Sequence, residues 1–535
     1  MRLGLPCLAV SVLVIGAVWA WLGQPVPQSP LAAGEKLAGE KLYCMSYAPY
    51  RDGQNPFDPK TFIPAAQIEE DLSQLSKITN CVRVYAADQG IEQVAALASK
   101  YGMKVLQGFW LSGDPVKNRR QLENAVALAN KYPDTIMAVV VGNEVLLRGE
   151  MSGSDLAKTI LEVKARVHVP VTYADVWEFW LRNRDVASAV DFITIHILPY
   201  WEDFPVPASA AGAHVDAIRR QVAAAFPGKE VIIGEVGWPS AGRMREGALP
   251  SPANEARVIQ DVLALAKRDN VHVNVIEAFD APWKRALEGT VGGHWGMLDA
   301  YTREPKFSLG GAISNHPHWK VQAAGGIAFA VAIFGVAFAT RRKEGLPPVA
   351  WLAVSANAIA GGSLIGWTIE NVPIESLYVG SWLRSLAFCA VAIASPLAVT
   401  AAIARGTPMP LFSRILGAAD DRTHDRLALL VGIVMMATMV LSLDVALGLV
   451  FNPRYKDFPF APLTAAIVPF LVQSLTVPRP AGGRGVAELA AALILALSVV
   501  YIVPSESLEN WQSLWLCTAF AALAVSLARV RDVPG

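Results

Sequence analysis

The sequence predicts a (β/α)8 TIM barrel followed by an all-α domain of membrane-spanning helices. Eight short apolar runs alternate with amphipathic helical stretches between about residues 43 and 306, which is the rhythm of such a barrel. From about residue 322 onward, the chain instead consists of long apolar segments. Hydrophobic residues make up 53% of the 535 residues and charged residues only 17%, a composition more apolar than that of an ordinary soluble enzyme.

The first 23 residues are predicted to form a transmembrane anchor. Residues 3–22 are almost continuously apolar and follow Arg2, and about 20 apolar residues suffice to cross a bilayer. A cleaved signal peptide is the alternative, but Trp19 and Trp21 suit a membrane interface better than a small-residue cleavage site. Residues 24–40, which contain several Pro and Gln residues, are interpreted as a linker.

The barrel is assigned to residues 41–312. Between the apolar runs, core-facing positions recur at spacings of three and four, as at Ile68, Leu72 and Leu75, and Ser251-Pro252 is a helix start signal. An open doubly wound sheet is the alternative, but YAPYRDGQN after the first run is not the Gly-rich phosphate turn that such sheets often carry. The strand-like runs are LYCMSYAPY, CVRVYAA, KVLQGFW, IMAVVVGNEVL, VPVTYADVW, DFITIHILPY, EVIIGEVGW and VHVNVIEAFDAPW.

A second linker at 313–321 precedes the predicted transmembrane domain, residues 322–535. Its basic connections, including 341–343, 405–426 and the loop with Arg479 and Arg484, would lie in the cytoplasm by the positive-inside rule. The barrel would then lie on the opposite, extracytoplasmic side, and Arg2 before the first apolar segment leads to the same orientation. The seven predicted spans are 322–340, 349–368, 381–404, 427–451, 459–477, 486–504 and 512–528.

Ionisable residues are scarce in these spans. Arg384 lies near a span end, where its side chain is expected to snorkel to the interface, whereas Asp444 lies deeper and could be functional. A cation-coupled transporter would carry more buried charges, so no chemistry is assigned to the spans.

The charge balance and the cysteine spacing argue against a nucleic-acid-binding protein, a zinc site and a dithiol motif. With 46 basic and 46 acidic residues the chain has no net charge to attract nucleic acid. Its five cysteines form no CxxC or CxxxC pair, so neither a zinc site nor a dithiol motif is indicated. The sequence leaves open whether Cys44 and Cys81, both in the segment predicted to be exported, form a disulfide.

Two glutamates mark a candidate active site. Glu144 closes the fourth apolar run and Glu235 the seventh, so both should emerge at the mouth of the barrel, where the active sites of TIM-barrel enzymes lie. A surface or ion-paired glutamate is the alternative for either one alone. Together they provide the acid and the nucleophile or base that glycosidic bond cleavage requires, and the amide of Asn143 could bind a sugar 2-hydroxyl.

The motifs VGNEVL and GEVGWPS, with VRVYA, HILPYW, IEAFDAPWK and HWGML around them, resemble glycoside hydrolase family 17. That family comprises β-1,3-glucanases and glucanosyltransferases, and the resemblance covers residues 43–307. It implies a retaining mechanism with Glu144 as acid/base and Glu235 as nucleophile, their carboxyl groups about 5–5.5 Å apart. The chain departs from the family at Ala281, where an acid is frequent, and at Gly292-Gly293, where plant members often carry another acid.

Further strand-end side chains are candidates for substrate contact. Glucose rings pack on aromatic side chains, and about half of the strand-end aromatics are expected to fill the barrel instead. Arg83 is expected to hold a buried carboxylate, and His196 to be a packed strand residue. The candidates for substrate binding, besides Asn143, are Tyr47, Tyr85, Tyr200, Trp238, Trp283, Lys284 and Glu277, with Trp110, Trp177 and Trp201 also at strand ends.

The expected function is glucan remodelling at a membrane. Confinement by the spans favours a glucanosyltransferase acting on newly exported β-1,3-glucan, with an endo-β-1,3-glucanase as the alternative and a non-catalytic glucan-binding or export component as a third hypothesis. The chain resembles bacterial members associated with periplasmic glucan synthesis, which implies the inner membrane, a periplasmic barrel and a membrane glucan synthase as partner. The chemistry requires neither a metal nor an organic cofactor.

Overall fold

The computed structural model describes residues 3–532 except 28, 31, 33–38, 344, 418–422, 424 and 479–481. The chain divides into two units. One comprises Val26–Gly242 and Gly247–Ile313, and the other comprises Met1–Pro25, Arg243–Glu246 and Ser314–Gly535.

The first unit contains a closed barrel of eight parallel strands, which confirms the predicted fold class. Each strand pairs with the next in the chain, and β8 returns to pair with β1. The interior is built from the apolar runs identified in the sequence, because in a parallel barrel both faces of every strand are buried. The strands are β1 (Cys44–Ser46), β2 (Cys81–Val84), β3 (Lys104–Phe109), β4 (Ile136–Asn143), β5 (Val171–Val176), β6 (Ile193–His196), β7 (Val231–Val236) and β8 (Val273–Val275).

Helices of the barrel unit follow the predicted apolar spacing. Ile68, Leu72 and Leu75 are buried on one face of α2. The hydroxyl oxygen of Ser251 accepts a hydrogen bond from the backbone N–H of Asn254 and caps the helix that begins at Pro252. The helices are α2 (Ala65–Leu75), α3 (Val94–Lys100), α4 (Pro115–Lys131), α5 (Gly153–Lys164), α6 (Trp177–Arg182), α7 (Ala208–Ala225), α8 (Pro252–Asp269) and α9 (Arg285–Gly292).

The second unit consists of apolar helices. Seven of its described helices are long and apolar enough to cross a membrane, which suggests membrane association. The predicted span at 459–477 is a shorter helix of 17 residues. The helices are α1 (Gly4–Leu22), α10 (Trp319–Thr340), α11 (Pro348–Glu375), α12 (Val379–Arg405), α13 (Ser413–Leu416), α14 (Arg426–Phe451), α15 (Phe460–Thr476), α16 (Val486–Glu506) and α17 (Trp511–Arg529).

Side-chain contacts within this unit bear on two expectations from the sequence. Ile15 and Trp19 of α1 are fully buried in one apolar cluster with residues of α10 and α11. Arg384 donates a hydrogen bond from Nε to Oδ2 of Asp444 at 3.1 Å, so these two charges form an ion pair. Arg2 and Arg479, on which part of the predicted orientation rests, lie outside the described residues.

A disulfide joins Cys44 and Cys81, which the sequence left open. These are the first residues of β1 and β2, so the bond lies at the end of the strands opposite to the barrel mouth. It closes a loop with a sequence separation of 37 residues, and such a cross-link restricts mainly the unfolded chain.

We expect replacement of both cysteines, Cys44→Ala with Cys81→Ala, to lower the free energy of unfolding by about 4 kcal/mol, the loop-closure entropy for a loop of this length. Urea titration of the detergent-solubilised chain under non-reducing conditions measures the change. The double variant Cys7→Ala with Cys389→Ala, which removes two free thiols, serves as the control. Equal stability of wild type and the first variant would contradict the prediction.

Candidate active site

Glu144 and Glu235 lie together at the carboxyl ends of their strands. Glu144 directly follows β4 with its side chain 23% exposed, and Glu235 is the penultimate residue of β7 with its side chain 6% exposed. A carboxylate oxygen of each, together with a ring nitrogen of His196, forms a group whose members all lie within 4.8 Å of one another. This separation suits direct attack by one carboxylate, since an inverting pair stands about 6.5–9.5 Å apart to leave room for water.

The backbone around Glu144 is strained. Glu144 has φ +54° and Gly142 has φ +79°, and the register between β4 and β5 shifts between Val140 and Asn143. A hydrogen bond of 2.8 Å from the backbone N–H of Glu144 to the carbonyl of Ala174 stabilises this backbone conformation. A non-glycine residue in this region costs free energy and is typical of functional sites.

Arg83 of β2 bridges β4 and β7 from inside the barrel. Its side chain is 1% exposed, and its Nη1 donates to the carbonyl of Gly234 at 2.8 Å and to Oε1 of Glu235 at 3.2 Å. Its Nη2 donates to Oδ1 of Asn143 at 2.5 Å. The contact with Glu235 confirms the expectation that Arg83 holds a buried carboxylate.

Tyr85, a candidate for substrate binding, instead bonds to Glu235. Its hydroxyl donates to Oε1 of Glu235 at 2.8 Å and lies 2.6 Å from the hydroxyl of Ser46, which accepts from the amide of Asn274 at 2.7 Å. Burial raises the pKa of Tyr85 well above 10, and the Glu235 carboxylate raises it further, against the lowering effect of Arg83. The phenol therefore stays protonated and acts as a donor to Oε1.

His196, the last residue of β6, is the contact that the sequence interpretation missed. Its Nδ1 lies 2.9 Å from Oε1 of Glu144, and its Nε2 lies 3.1 Å from Nη1 of Arg83 and 3.5 Å from Oε1 of Glu235. The sequence feature that could have identified His196 was its position at the end of the run that forms β6, the strand next to β7. The same atoms are close enough to share a metal ion, but Arg83 already supplies a cation there.

The carboxyl groups at this end of the barrel differ in pKa. Burial raises the pKa of Glu144, but the hydrogen bond from His196 and the positive charges around it, including Arg148, lower it below its ordinary value. Burial raises the pKa of Asp175 on β5 to about 6, although the hydroxyl of Tyr173 bonds to it.

Glu277 and Lys284 form a second charged pair close to Glu235. Nζ of Lys284 donates to Oε1 of Glu277 at 2.6 Å, and Oε2 of Glu277 is buried with no hydrogen-bond partner among the described residues. Burial raises the pKa of Glu277 against the lowering effect of Lys284. Burial likewise raises the pKa of Glu288, an acid on α9 that interacts electrostatically with Glu144 and Glu235 and that the sequence analysis did not identify.

Three of the predicted sugar contacts have fully buried side chains. Tyr47, Tyr200 and Trp238 belong to the apolar core of the barrel unit. The hydroxyl of Tyr47 donates to Asp71, and the indole N–H of Trp238 donates to the carbonyl of Leu249. Their contact with a sugar stays a prediction.

Trp283 remains available at the mouth. It is half-buried, its ring makes edge contacts with Tyr50 and with Phe57, and Nζ of Lys284 lies 5.6 Å from its ring centre. Phe57 itself is 61% exposed. The rings of Trp283 and Phe57 lie beside the ion pair of Glu277 and Lys284, and together they offer a surface on which a sugar ring can stack.

Comparisons with known proteins match the barrel. Residues 44–296 match the BtgE/BtgC glycoside hydrolase domain. The glucan 1,3-beta-glucosidases of Arthroderma benhamiae and Saccharomyces cerevisiae are 30% and 26% identical over 263 residues, covering 45% of this chain and 84% of each relative. A solved glycoside hydrolase family 17 beta-1,3-glucanosyltransferase from Rhizomucor miehei has 29% identity and a TM-score of 0.44 over 50% of this chain and 98% of its own.

The replacement Arg83→Met should lower the free energy of unfolding by about 3–5 kcal/mol, because it leaves the buried Glu235 carboxylate without its cation. Denaturant unfolding of the purified chain measures the loss. Arg119→Met, which breaks an exposed ion pair with Glu162, should cost far less, because solvent screens that pair. Similar losses in the two variants would contradict a central role for Arg83.

Proposed function

We propose that this chain, which belongs to the BtgE/BtgC glycoside hydrolase family, cleaves β-1,3-glucan with retention, using Glu144 as acid/base and Glu235 as nucleophile. Family membership makes the chain a glycoside hydrolase. The single observation that carries the assignment of roles is the close approach of the two carboxylates, within 4.8 Å, at one barrel mouth. The substrate is inferred from the names of the curated relatives.

In the first step, Oε2 of Glu235 attacks the anomeric carbon. Oε1 is the less available oxygen because Tyr85 and Arg83 both donate to it. As the new ester bond forms, the bond from the anomeric carbon to the leaving oxygen breaks, and Glu144 transfers its proton to that oxygen. The glucan fragment that carries the leaving oxygen then departs, and that oxygen is now part of a new hydroxyl group.

In the second step, an incoming hydroxyl attacks the anomeric carbon of the glycosyl-enzyme. Glu144 removes its proton, the ester bond to Glu235 breaks, and both carboxyl groups return to their starting states. Water as the attacking molecule gives hydrolysis, whereas a sugar hydroxyl gives transfer. Asn143, Glu277, Lys284 and Trp283 are proposed to contact the sugars, with Ala281 in place of an acid beside them.

We favour transfer as the main reaction. Seven apolar helices would confine the enzyme to a membrane, where exported glucan is concentrated and can act as acceptor. Hydrolysis is the second candidate, and the same carboxylate pair supports it equally. A non-catalytic glucan-binding or export role is disfavoured because the pair is intact.

The proposed location is a bacterial inner membrane with the barrel in the periplasm. The disulfide between Cys44 and Cys81 supports an oxidising compartment for the barrel. Burial of Ile15 and Trp19 against α10 and α11 supports retention of α1 as an anchor rather than its cleavage. A membrane glucan synthase is the proposed partner, since it would supply newly made substrate.

Incubation of the full-length detergent-solubilised chain with a β-1,3-gluco-oligosaccharide of defined length should give products longer than the substrate, because a sugar hydroxyl competes with water for the glycosyl-enzyme. Mass spectrometry of the products measures this. Shorter products alone would establish hydrolysis as the reaction, and an absence of turnover would favour a binding role.

Glu235→Gln should abolish, and Glu144→Gln should retain, a covalent adduct with an activated 2-fluoro glycoside, because only Glu235 forms the ester. Both should lower turnover of glucan by about a hundredfold or more. Glu178→Gln, which alters an acid on α6, is the matched control. An undiminished adduct in Glu235→Gln would remove that residue from its role.

A further inference from the structure

His196 is a fully buried imidazole between the two proposed catalytic acids. Its side chain is 0% exposed, so it contacts protein on all sides and acts on the reaction only through other groups. One ring nitrogen faces Glu144 at 2.9 Å, and the other faces Arg83 at 3.1 Å and Glu235 at 3.5 Å.

The direction of these hydrogen bonds follows from the chemistry of Arg83. A guanidinium group has donors and no acceptor, so the 3.1 Å contact between Nη1 of Arg83 and Nε2 of His196 is a hydrogen bond only when Nη1 donates. The two N–H groups of Nη1 face three acceptors, and we assign one of these N–H groups as shared between Nε2 and Oε1 of Glu235. Nε2 therefore presents its lone pair, and the ring proton lies on Nδ1. Among the described residues, the acceptor within hydrogen-bond distance of Nδ1 is Oε1 of Glu144.

We propose that His196 is a positioning residue that keeps the catalytic proton of Glu144 on Oε2. The carbonyl oxygen of a protonated carboxyl group accepts a hydrogen bond better than its hydroxyl oxygen does, so the imidazole N–H at Oε1 favours the acid proton on Oε2. This inference rests on the proposed function of Glu144 and adds to it the choice of oxygen and the group that enforces the choice.

The proton balance is the same in both halves of the reaction. In the first step Oε2–H gives its proton to the leaving oxygen, and the carboxylate that forms is stabilised by the N–H of His196. In the second step Oε2 takes a proton from the attacking hydroxyl. The imidazole proton stays on Nδ1 throughout, so His196 neither gains nor loses a proton.

A glycine at position 234 permits this arrangement. A Cβ there would lie 2.3 Å from Cγ2 of Thr194, 3.3 Å from Cδ2 of His196 and 3.4 Å from Nη1 of Arg83. The space beside β7 is thus filled by the imidazole and the guanidinium, which fixes the ring between the two acids.

Removal of the His196 imidazole is expected to change how the activity of the enzyme depends on pH. The other charged groups that face Glu144 or His196 are Arg83 on β2, Arg148 after β4, Asp175 on β5, Glu235 on β7 and Glu288 on α9. Burial raises the pKa of Glu144, and the hydrogen bond from His196 is foremost among the influences that lower it. Its removal should raise that pKa and extend activity to more alkaline pH.

The test compares His196→Ala with His196→Asn in the full-length chain, because the asparagine amide can place an N–H close to the position of Nδ1. Two substrates are used, a β-1,3-gluco-oligosaccharide and an aryl β-glycoside whose leaving group needs no protonation. For His196→Ala, kcat/KM on the oligosaccharide should fall about tenfold to a hundredfold. On the aryl glycoside it should fall much less, and the alkaline limb of the pH profile should move upward.

His196→Asn should restore the alkaline limb and part of the activity on the oligosaccharide. Thr194→Val, which removes a buried hydroxyl on the same strand that bonds to Thr172, is the control and should leave the pH profile unchanged. Equal losses on both substrates with an unmoved limb in both His196 variants would overturn the assignment. A wild-type chain that turns over no glucan would instead contradict the proposed function itself.

Discussion

The arrangement of the site depends on one buried cation, the guanidinium of Arg83. Its donors reach the carbonyl of Gly234, the carboxylate of Glu235, the amide oxygen of Asn143 and the imidazole of His196. These partners come from three strands and from positions between 60 and 152 residues away in the sequence. A cation that is 1% exposed is stable only when such partners surround it, so the barrel and the site stabilise each other.

This network makes the two carboxylate oxygens of each proposed catalytic acid different. Oε1 of Glu235 accepts from Tyr85 and Arg83, and Oε1 of Glu144 lies against His196. Protein donors therefore occupy one oxygen of each acid, and the proposed chemistry uses the other. Preorganised donors of this kind do not have to reorient during the reaction, which is the main advantage of an enzyme site over water.

The membrane unit supplies no residue to this chemistry in the proposal. Its helices offer long apolar surfaces, and Arg384 of α12 forms an ion pair with Asp444 of α14. What the unit contributes to the proposed function is location, because an enzyme held at a membrane meets exported glucan at a raised effective concentration.

The sequence by itself determined the fold class and the two acids. Eight apolar runs of strand length and the glutamates at the ends of the fourth and seventh are local patterns, and a parallel barrel brings all strand ends to one mouth. The family resemblance supported the same two residues, and the long apolar segments predicted the membrane helices because length and composition suffice for that.

Only the tertiary structure decided which of the strand-end side chains are buried. Tyr47, Tyr200 and Trp238 occupy strand ends like Trp283, yet their rings are enclosed by protein while Trp283 stays half-buried at the mouth. The roles of His196 and Tyr85, and the pairing of Cys44 with Cys81, likewise depend on neighbours distant in the chain. Strand patterns record which residues are apolar, whereas burial and hydrogen-bond partners are set by the register and closure of the sheet.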